Sequence, residues 1–407
     1  MTSTILALVG FSSPNSCAPV ITDLRQDTQL LAAVCSEYVT HTDSGWRDAL
    51  AHHPDPGSLV AGAHEHGVLP LFARALSAAR ISCELAQSRS REIAFHNLAL
   101  AAELVNVVGA LRQRGIQVLA YKGPVLAQQL YGDVTLRQFR DLDILVAPAD
   151  VLRTRDALCQ LGYQEAKPFS TSLLRKHVAS QCEWQMAGTD SGILIELHWA
   201  LFPRYASFDL SVLELTQASV AVEIAGEQFR APDLAHLALM LSAHGTKHFW
   251  YRLGWLVDFA LLLRNYTDAN AEKLLNDAAR KGMKRILLTS AALVNRVLGI
   301  SLPRAFECPI SADRSVSMLA ENMQQSVCSG VAPEDLLTEN VWFLRSRERW
   351  SDRVKIVTRL AFTPGPEEWR VVTLPEWAEG LYRPLRMARA ARYVPRIVQR
   401  AFSFRKP

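Results

Sequence analysis

Apolar residues recur at helical spacing over the first quarter of the chain and again over its second half. Residues 61–76 and 85–114 carry them at intervals of three and four with few breakers, which predicts two long helices. The same spacing returns from Asp233, where a proline and this aspartate precede a long apolar stretch. A break is predicted at 301–309. Later helices are predicted at 311–329 and 335–359.

Short apolar runs typical of buried strands lie between these helical parts. The three clearest are 116–121 (IQVLAY), 142–146 (LDILV) and 192–198 (GILIELH). Further strand pieces are predicted at 163–164 and 183–186, and helices at 125–131 and 148–161. Strands that alternate with helices predict an α/β (α+β) unit built on a small mixed sheet.

The pattern divides the chain into four parts. They are an N-terminal helical region (1–114), an α/β core (115–225), a C-terminal helical region (226–380) and a basic tail (381–407). A length of 407 residues fits two to three domains of about 150 residues each.

The composition excludes several classes of protein. Half of the residues are apolar (49%) and a fifth are charged (21%), which excludes a disordered chain. Apolar runs such as 255–263 are short and interrupted by charge, so no transmembrane segment is expected. No basic residue precedes the apolar run in MTSTILALVGF, which argues against a secretory signal. Seven scattered cysteines without a CxxC pair indicate reduced thiols in a cytoplasmic protein.

The positive charge is concentrated at the C-terminus. From residue 381 onward there are seven arginines, one lysine and no acidic residue, although the whole chain carries only +4. Six of the arginines recur at steps of three and four: Arg383, Arg386, Arg389, Arg392, Arg396 and Arg400. On a helix they form a basic stripe that would suit an anionic membrane or an acidic partner. Binding to a membrane would make the protein peripheral there. The alternative is a terminal helix that packs on the body by its apolar side.

The centre of the chain carries acidic residues on predicted strands. Asp141 and Asp143 are two apart, so on a strand they face the same side and need a cation between them. Glu196 lies inside the apolar run ILIELHW, where a lone carboxylate would be costly. Oxygen ligands on rigid strands suit Mg²⁺ or Mn²⁺, which in turn binds nucleotide phosphates.

Basic residues near these acids are candidates for binding phosphate. Lys122 and Gly123 end the first strand just before a helix, where glycine allows close approach of an anion to the backbone. Arg137 and Arg140 precede the acidic pair and are expected to contact a triphosphate or to neutralise the carboxylates.

A second polar group follows in the C-terminal region. His244, Lys247 and His248 lie on one helical stretch with the two histidines at i and i+4. No acidic residue completes a zinc motif, so they are expected to line the cleft and touch the nucleotide or the acceptor. Core histidines with a capping lysine are the structural alternative.

The segment LAYKGPVLAQQLYGDVTLRQFRDLDILV resembles the signature of the uncharacterised nucleotidyltransferase family within the DNA polymerase beta-like superfamily. Looser similarity covers most of the chain. It includes AGAHEHGVLPLF at 61–72, HNLALAAEL at 96–104, IELHWAL at 195–201, HGTKHFWYRLGWLVDFALLL at 244–263 and LPEWAEGLYRPLRMARA at 374–390.

The resemblance implies a nucleotidyltransferase core with Mg²⁺ held by Asp141 and Asp143. Glu196 matches the third acid, which helps to activate the acceptor hydroxyl in the wider superfamily. Lys122 and Gly123 stand where the superfamily has a Gly-Ser turn, although here Lys precedes the glycine and the spacing to the acids is longer. The implied substrate is an NTP, and the implied acceptor is a small molecule, peptide or glycan in a biosynthetic tailoring pathway.

Three other functions remain open at this stage. A glycosyltransferase that uses a nucleotide sugar also contains a DxD motif. A kinase-like enzyme could present the γ-phosphorus at the same metal site. A non-catalytic nucleotide-binding module could keep the same fold.

Overall fold

The computed structural model describes residues 21–53, 55–165, 171–202, 208, 210–332, 336–372 and 374–402. The start of the chain, on which the expectation about a secretory signal rests, and residues 403–407 lie outside these ranges. The architecture is a small mixed sheet between N-terminal and C-terminal helical regions, as the sequence predicts.

Five helices precede the sheet. They are α1 (Ile21–Thr40), α2 (Trp46–Ala51), α3 (Pro56–Glu65), α4 (Leu69–Ala78) and α5 (Glu84–Gln113). The prediction of one helix over 61–76 is wrong at His66 and Gly67, where the chain turns. The backbone N–H of Gly254 donates to the His66 carbonyl at 2.9 Å, so the turn serves as a packing surface for a later helix.

Helix α5 lies within one residue of the predicted helix at 85–114. Among the described helices it alone could cross a bilayer by length and composition. Core helices pass the same test, and Leu100, Leu104 and Leu111 of α5 are buried among residues of the sheet.

The central sheet has five strands in the order β1-β2-β5-β4-β3. They are β1 (Leu119–Ala120), β2 (Asp141–Leu145), β3 (Tyr163–Glu165), β4 (Glu183–Gly188) and β5 (Leu194–His198). Strands β2 and β5 are parallel, and the other neighbours are antiparallel. All five strands fall at predicted positions, although β1 is only two residues long. Leu142, Ile144, Ile195 and Leu197 point to one buried face; the other face carries polar residues beside a smaller apolar cluster that includes Leu145.

Helices and a hairpin complete this part of the chain. The helices are α6 (Gly123–Tyr131), α7 (Val151–Gln160), α8 (Thr171–Ser180) and α9 (Val212–Gln217). The hairpin consists of β6 (Val220–Ile224) and β7 (Glu227–Ala231). The sequence patterns did not predict α8, α9 or the hairpin, because each is short and apolar at only a few positions.

Ten described α-helices follow the hairpin. They are α10 (Leu234–Lys247), α11 (Leu253–Leu263), α12 (Asp268–Arg280), α13 (Lys284–Leu298), α14 (Arg304–Ala312), α15 (Arg314–Ser329), α16 (Leu336–Arg345), α17 (Trp350–Phe362), α18 (Pro366–Val371) and α19 (Tyr382–Phe402). The predicted break at 301–309 is wrong from Arg304 onward, because α14 accommodates Pro309. The predicted single helix at 335–359 is wrong where the buried Arg347 separates α16 from α17.

The basic C-terminal segment forms helix α19, and some of its arginines form ion pairs within the protein. Arg386 and Arg389 lie 3.5 and 2.9 Å from an oxygen of Glu368, which is fully buried. Arg386 also donates from Nε to the Leu360 carbonyl at 2.8 Å. The stripe is therefore divided, because these two arginines hold α19 against the body while others, such as Arg392, are exposed.

Candidate functional site

The parallel pairing of β2 and β5 brings two acidic residues together. Asp143 lies directly opposite Glu196 in the register, and both point to the face away from Leu142 and Ile195. Asp141 stands two residues earlier on the same face of β2. The three acids predicted from the sequence therefore share one face of the sheet.

His198 joins this group from the end of β5. Its Nε2 lies 3.2 Å from Asp143 Oδ1 and 3.4 Å from Glu196 Oε2. Within the described residues, one ligand atom from each of Asp143, Glu196 and His198 falls within 4.8 Å of the others, a spacing that could hold a metal ion. The sequence places His198 at the end of a strand, where it could pair with Glu196, but its contact with Asp143 depends on the strand register.

Lys122 reaches the same carboxylate from the turn between β1 and α6. Its Nζ donates to Asp143 Oδ1 at 2.8 Å. The turn requires Gly123, whose φ is +53° and where a Cβ atom would lie only 3.1 Å from the carbonyl oxygen of Asp141. The KGP segment thus places the lysine, rather than a backbone amide alone, beside the acids.

The charges in this group balance one another. Burial raises the pKa of Asp143, but Lys122 and His198 outweigh it and hold this pKa well below its usual range. Burial likewise opposes ionisation of Glu196, but the hydrogen bond from His198 outweighs it and lowers the pKa of Glu196. Although burial disfavours its charged form, hydrogen bonds to both carboxylates raise the pKa of His198 to about 9. Burial and the neighbouring carboxylates raise the pKa of Asp141, which makes it the acid that most needs another cation.

All ten site residues predicted from the sequence line one cavity of about 340 Å³. They are Lys122, Gly123, Arg137, Arg140, Asp141, Asp143, Glu196, His244, Lys247 and His248. The cavity also includes Tyr121, Glu183, Gln185 and Trp255, which the sequence patterns did not single out, together with His198 and Arg252. Gln185 faces Glu196 across β4 and β5 and donates to its Oε1 at 2.8 Å. Only the strand register could have revealed this contact.

Another part of the cavity wall is built by the end of α10, the start of α11 and the turn between them. Gly245 permits that turn, because a Cβ there would lie 2.2 Å from the ring of Trp250. The rings of His244 and His248 lie 5.1 and 5.5 Å from the ring of Trp255. Burial, reinforced by nearby cations, lowers the pKa of both histidines, that of His248 to about 3. The two imidazoles are therefore uncharged near neutral pH, and with Trp255 they form an aromatic surface on which a nucleobase can stack.

Two arginines occupy different positions in the cavity. Arg140 is exposed at the rim. Arg137 is buried, and its Nε donates to both carboxylate oxygens of Asp258 on α11 at 3.0 Å. Both predicted arginines therefore line the cavity, Arg140 at its solvent-exposed rim and Arg137 in its buried part.

Comparison with known families gives one match. A family model described as "uncharacterised nucleotidyltransferase" matches residues 52–299, more than half of the chain and a span that includes all ten predicted site residues. A search of curated proteins finds no match.

Proposed function

Because the chain belongs to the family of uncharacterised nucleotidyltransferases, we propose that it is an enzyme that moves a nucleoside monophosphate from an NTP to an acceptor. The acceptor is a hydroxyl or similar group of a small molecule, peptide or glycan in a biosynthetic tailoring pathway. The observation that carries the proposal is the pairing of Asp143 with Glu196 on adjacent parallel strands, with Lys122 on Asp143, inside a cavity of about 340 Å³.

The residues present fit a divalent cation. Asp141, Asp143 and Glu196 offer oxygen donors on one face of a rigid sheet, the ligand type that Mg²⁺ and Mn²⁺ prefer. The protonated His198 donates to two of these carboxylates and so holds them in place instead of binding the ion. The ion, when bound, polarises the phosphate oxygens and stabilises the charge that develops on them.

The protein side chains account for the remaining chemistry. Lys122, Arg137 and Arg140 bind the triphosphate oxygens, and the wall of His244, His248 and Trp255 stacks on the base; Lys247 adds a cation at its edge. An acceptor oxygen forms a bond to the α-phosphorus while the bond from that phosphorus to the pyrophosphate oxygen breaks. Glu196 accepts the proton that the acceptor hydroxyl loses.

The test is product analysis by mass spectrometry. Purified protein is incubated with each NTP, Mg²⁺ and candidate acceptors, with Asp143→Asn as the inactive variant and Asp313→Asn, which does not line the cavity, as the matched control. Addition of a nucleoside monophosphate with release of pyrophosphate supports the proposal. Addition of a phosphate alone indicates a kinase-like enzyme, and transfer of sugar from a nucleotide sugar indicates a glycosyltransferase. NTP binding without any product indicates a non-catalytic nucleotide-binding module.

We also propose a cytoplasmic location, with the exposed arginines of α19 available to an anionic membrane or an acidic partner. Arg383, Arg392 and Arg396 are exposed and support this. Co-sedimentation with vesicles that contain anionic lipid tests it. Loss of binding in a triple Arg→Ala variant is expected, and equal sedimentation of that variant argues against it.

A further inference from the structure

We infer that Asp258 and Tyr131 are positioning residues that hold the Arg137 guanidinium as a preformed site for a phosphate group of the substrate. The inference rests on the proposed function, because it names how that site binds its triphosphate. It extends that function to two residues that lie on α11 and α6, outside the acidic group.

The three side chains form one buried network. Arg137 Nε lies 3.0 Å from each oxygen of Asp258, and the hydroxyl of Tyr131 donates to Asp258 Oδ1 at 2.7 Å. The Asp258 side chain is 1% exposed and that of Arg137 is 10% exposed. A carboxylate on an otherwise apolar helix is costly to bury, so its partners explain why the sequence keeps it there.

The backbone of Arg137 is fixed as well. Asn97 on α5, itself fully buried, donates from Nδ2 to the Arg137 carbonyl at 2.7 Å and to the Val134 carbonyl at 2.8 Å. The arginine is therefore held at its main chain by α5 and at its Nε by α11. A side chain anchored at both ends loses little freedom when it binds a ligand.

The anchoring leaves the outer end of the guanidinium available. An arginine carries five N–H groups, of which one is on Nε and four are on the two terminal nitrogens. Among the side-chain N–H groups of Arg137, only the one on Nε has an acceptor within the described part of the chain. Arg137 lines the cavity, and its terminal nitrogens are not among the fully buried atoms without a partner, so we place the unused N–H groups on the cavity side.

This arrangement differs from an ion pair that only stabilises the core. Such a pair would also engage the terminal nitrogens, because unpaired N–H groups in a dry interior are costly. Here the carboxylate of Asp258 contacts the guanidinium only at Nε. The two terminal nitrogens, which form the fork of the guanidinium, remain for another anion. Two parallel N–H groups match two oxygens of a phosphate, which a lysine cannot reproduce.

The experiment measures binding to the full-length protein without any need for an acceptor. The probes are magnesium tripolyphosphate, the Mg²⁺ complex of the best-binding common NTP, and the nucleoside of that NTP. Affinities of the phosphate probes come from calorimetry, and weak nucleoside binding is followed by ligand-observed NMR. Thermal melting is recorded for every variant.

The variants remove the parts of the network separately. Asp258→Asn removes the charge that orients Arg137, Tyr131→Phe removes one hydrogen bond to Asp258, and Arg137→Lys removes the fork while keeping the charge. The matched control is Asp313→Asn, because Arg285 Nε donates to Asp313 Oδ2 at 2.8 Å in a similar pair away from this cavity.

Asp258→Asn and Arg137→Lys are expected to bind both phosphate probes roughly tenfold to a hundredfold more weakly, and Tyr131→Phe roughly threefold to tenfold more weakly. Nucleoside binding is expected to stay unchanged in all three, and Asp313→Asn is expected to bind every probe as the wild type does. If Asp258→Asn fails to fold, the other two variants carry the test.

Two results overturn the inference: folded variants that bind the phosphate probes as tightly as the wild type, or variants that lose phosphate and nucleoside binding to the same extent. Failure of the proposed function gives a different result. In that case the wild-type protein binds tripolyphosphate in an Arg137-dependent way, but it binds no NTP more tightly than tripolyphosphate. Wild-type protein that binds neither phosphate probe contradicts both.

Discussion

Lys122 Nζ donates to Asp143 Oδ1 at 2.8 Å, although the lysine lies in a turn and the aspartate on a strand 21 positions later. Their side chains are only 18% and 2% exposed. The lysine therefore neutralises the very carboxylate that the proposed reaction needs for its divalent cation. Much of what can be tested in this site follows from that contact.

Replacement of Asp143 separates activity from stability. Asp143→Asn keeps the shape of the side chain and is expected to lose at least about 10²–10³-fold in turnover. Asp143→Ala is expected to be equally inactive but also less stable by about 3–5 kcal/mol, because Lys122 and His198 would be left without their shared carboxylate. Turnover by product mass and unfolding in urea give the two values. Full activity of Asp143→Asn on the correct substrates would refute the proposed role of Asp143.

Replacement of Lys122 should affect the metal and the reaction in opposite directions. Without nucleotide, Lys122→Met is expected to bind Mn²⁺ more tightly than the wild type, because no ammonium group competes for Asp143. With NTP, its turnover is expected to fall about 10²-fold, since one cation for the phosphates is lost. Mn²⁺ binding is measured by electron paramagnetic resonance. Lys247→Met, which removes another cation of the same cavity, is the control and should change metal affinity less; weaker Mn²⁺ binding by Lys122→Met would contradict the competition.

The C-terminal helix is expected to contribute to stability through two of its arginines. Replacing Arg386 and Arg389 by alanine leaves the buried Glu368 without these partners, which should cost about 3 kcal/mol or more. Replacing the exposed Arg383 and Arg392 removes the same charge and should cost less than about 1 kcal/mol. Urea unfolding of the two double variants compares them. Equal stability would show that the contacts of Glu368 contribute nothing measurable.

The buried His66 is expected to make the folded protein less stable in mild acid. Burial, and then the nearby Arg252, lower the pKa of His66 to about 4, whereas an unfolded chain gives about 6.5. As the pH falls below about 6.5, the unfolded chain takes up a proton that the folded one refuses until about pH 4, so stability decreases across this interval, by on the order of 3 kcal/mol. Above that interval His66 is neutral in both states and does not change the free energy of unfolding with pH.

The measurement for His66 is the free energy of unfolding at a series of pH values from about 4 to about 7, which spans both pKa values. His66→Gln is expected to make the profile less steep over this interval, while other partly buried histidines such as His248 keep part of the slope. The same substitution at the exposed His52 serves as the control. A wild-type profile that is already flat, or one that His66→Gln leaves as steep as before, would contradict the assignment.

The sequence by itself determined which residues face which way along each strand. Alternation in DLDIL and LIELH puts Asp141, Asp143 and Glu196 on one side and Leu142, Ile144, Ile195 and Leu197 on the other, and this period of two is a local property. It also marked KGP as a turn before a helix, because glycine and proline act on their own backbone.

Only the tertiary structure decided which of these residues meet. The register that sets Asp143 against Glu196, and that lets His198 bond to both, comes from burial of the sheet and is not encoded in either strand alone. The contact between Arg137 and Asp258 joins residues 121 apart, and it forms because α11 packs beside α6. In the sequence Asp258 is one charge in an apolar run; only the packing of helices supplies the partner that makes its burial possible.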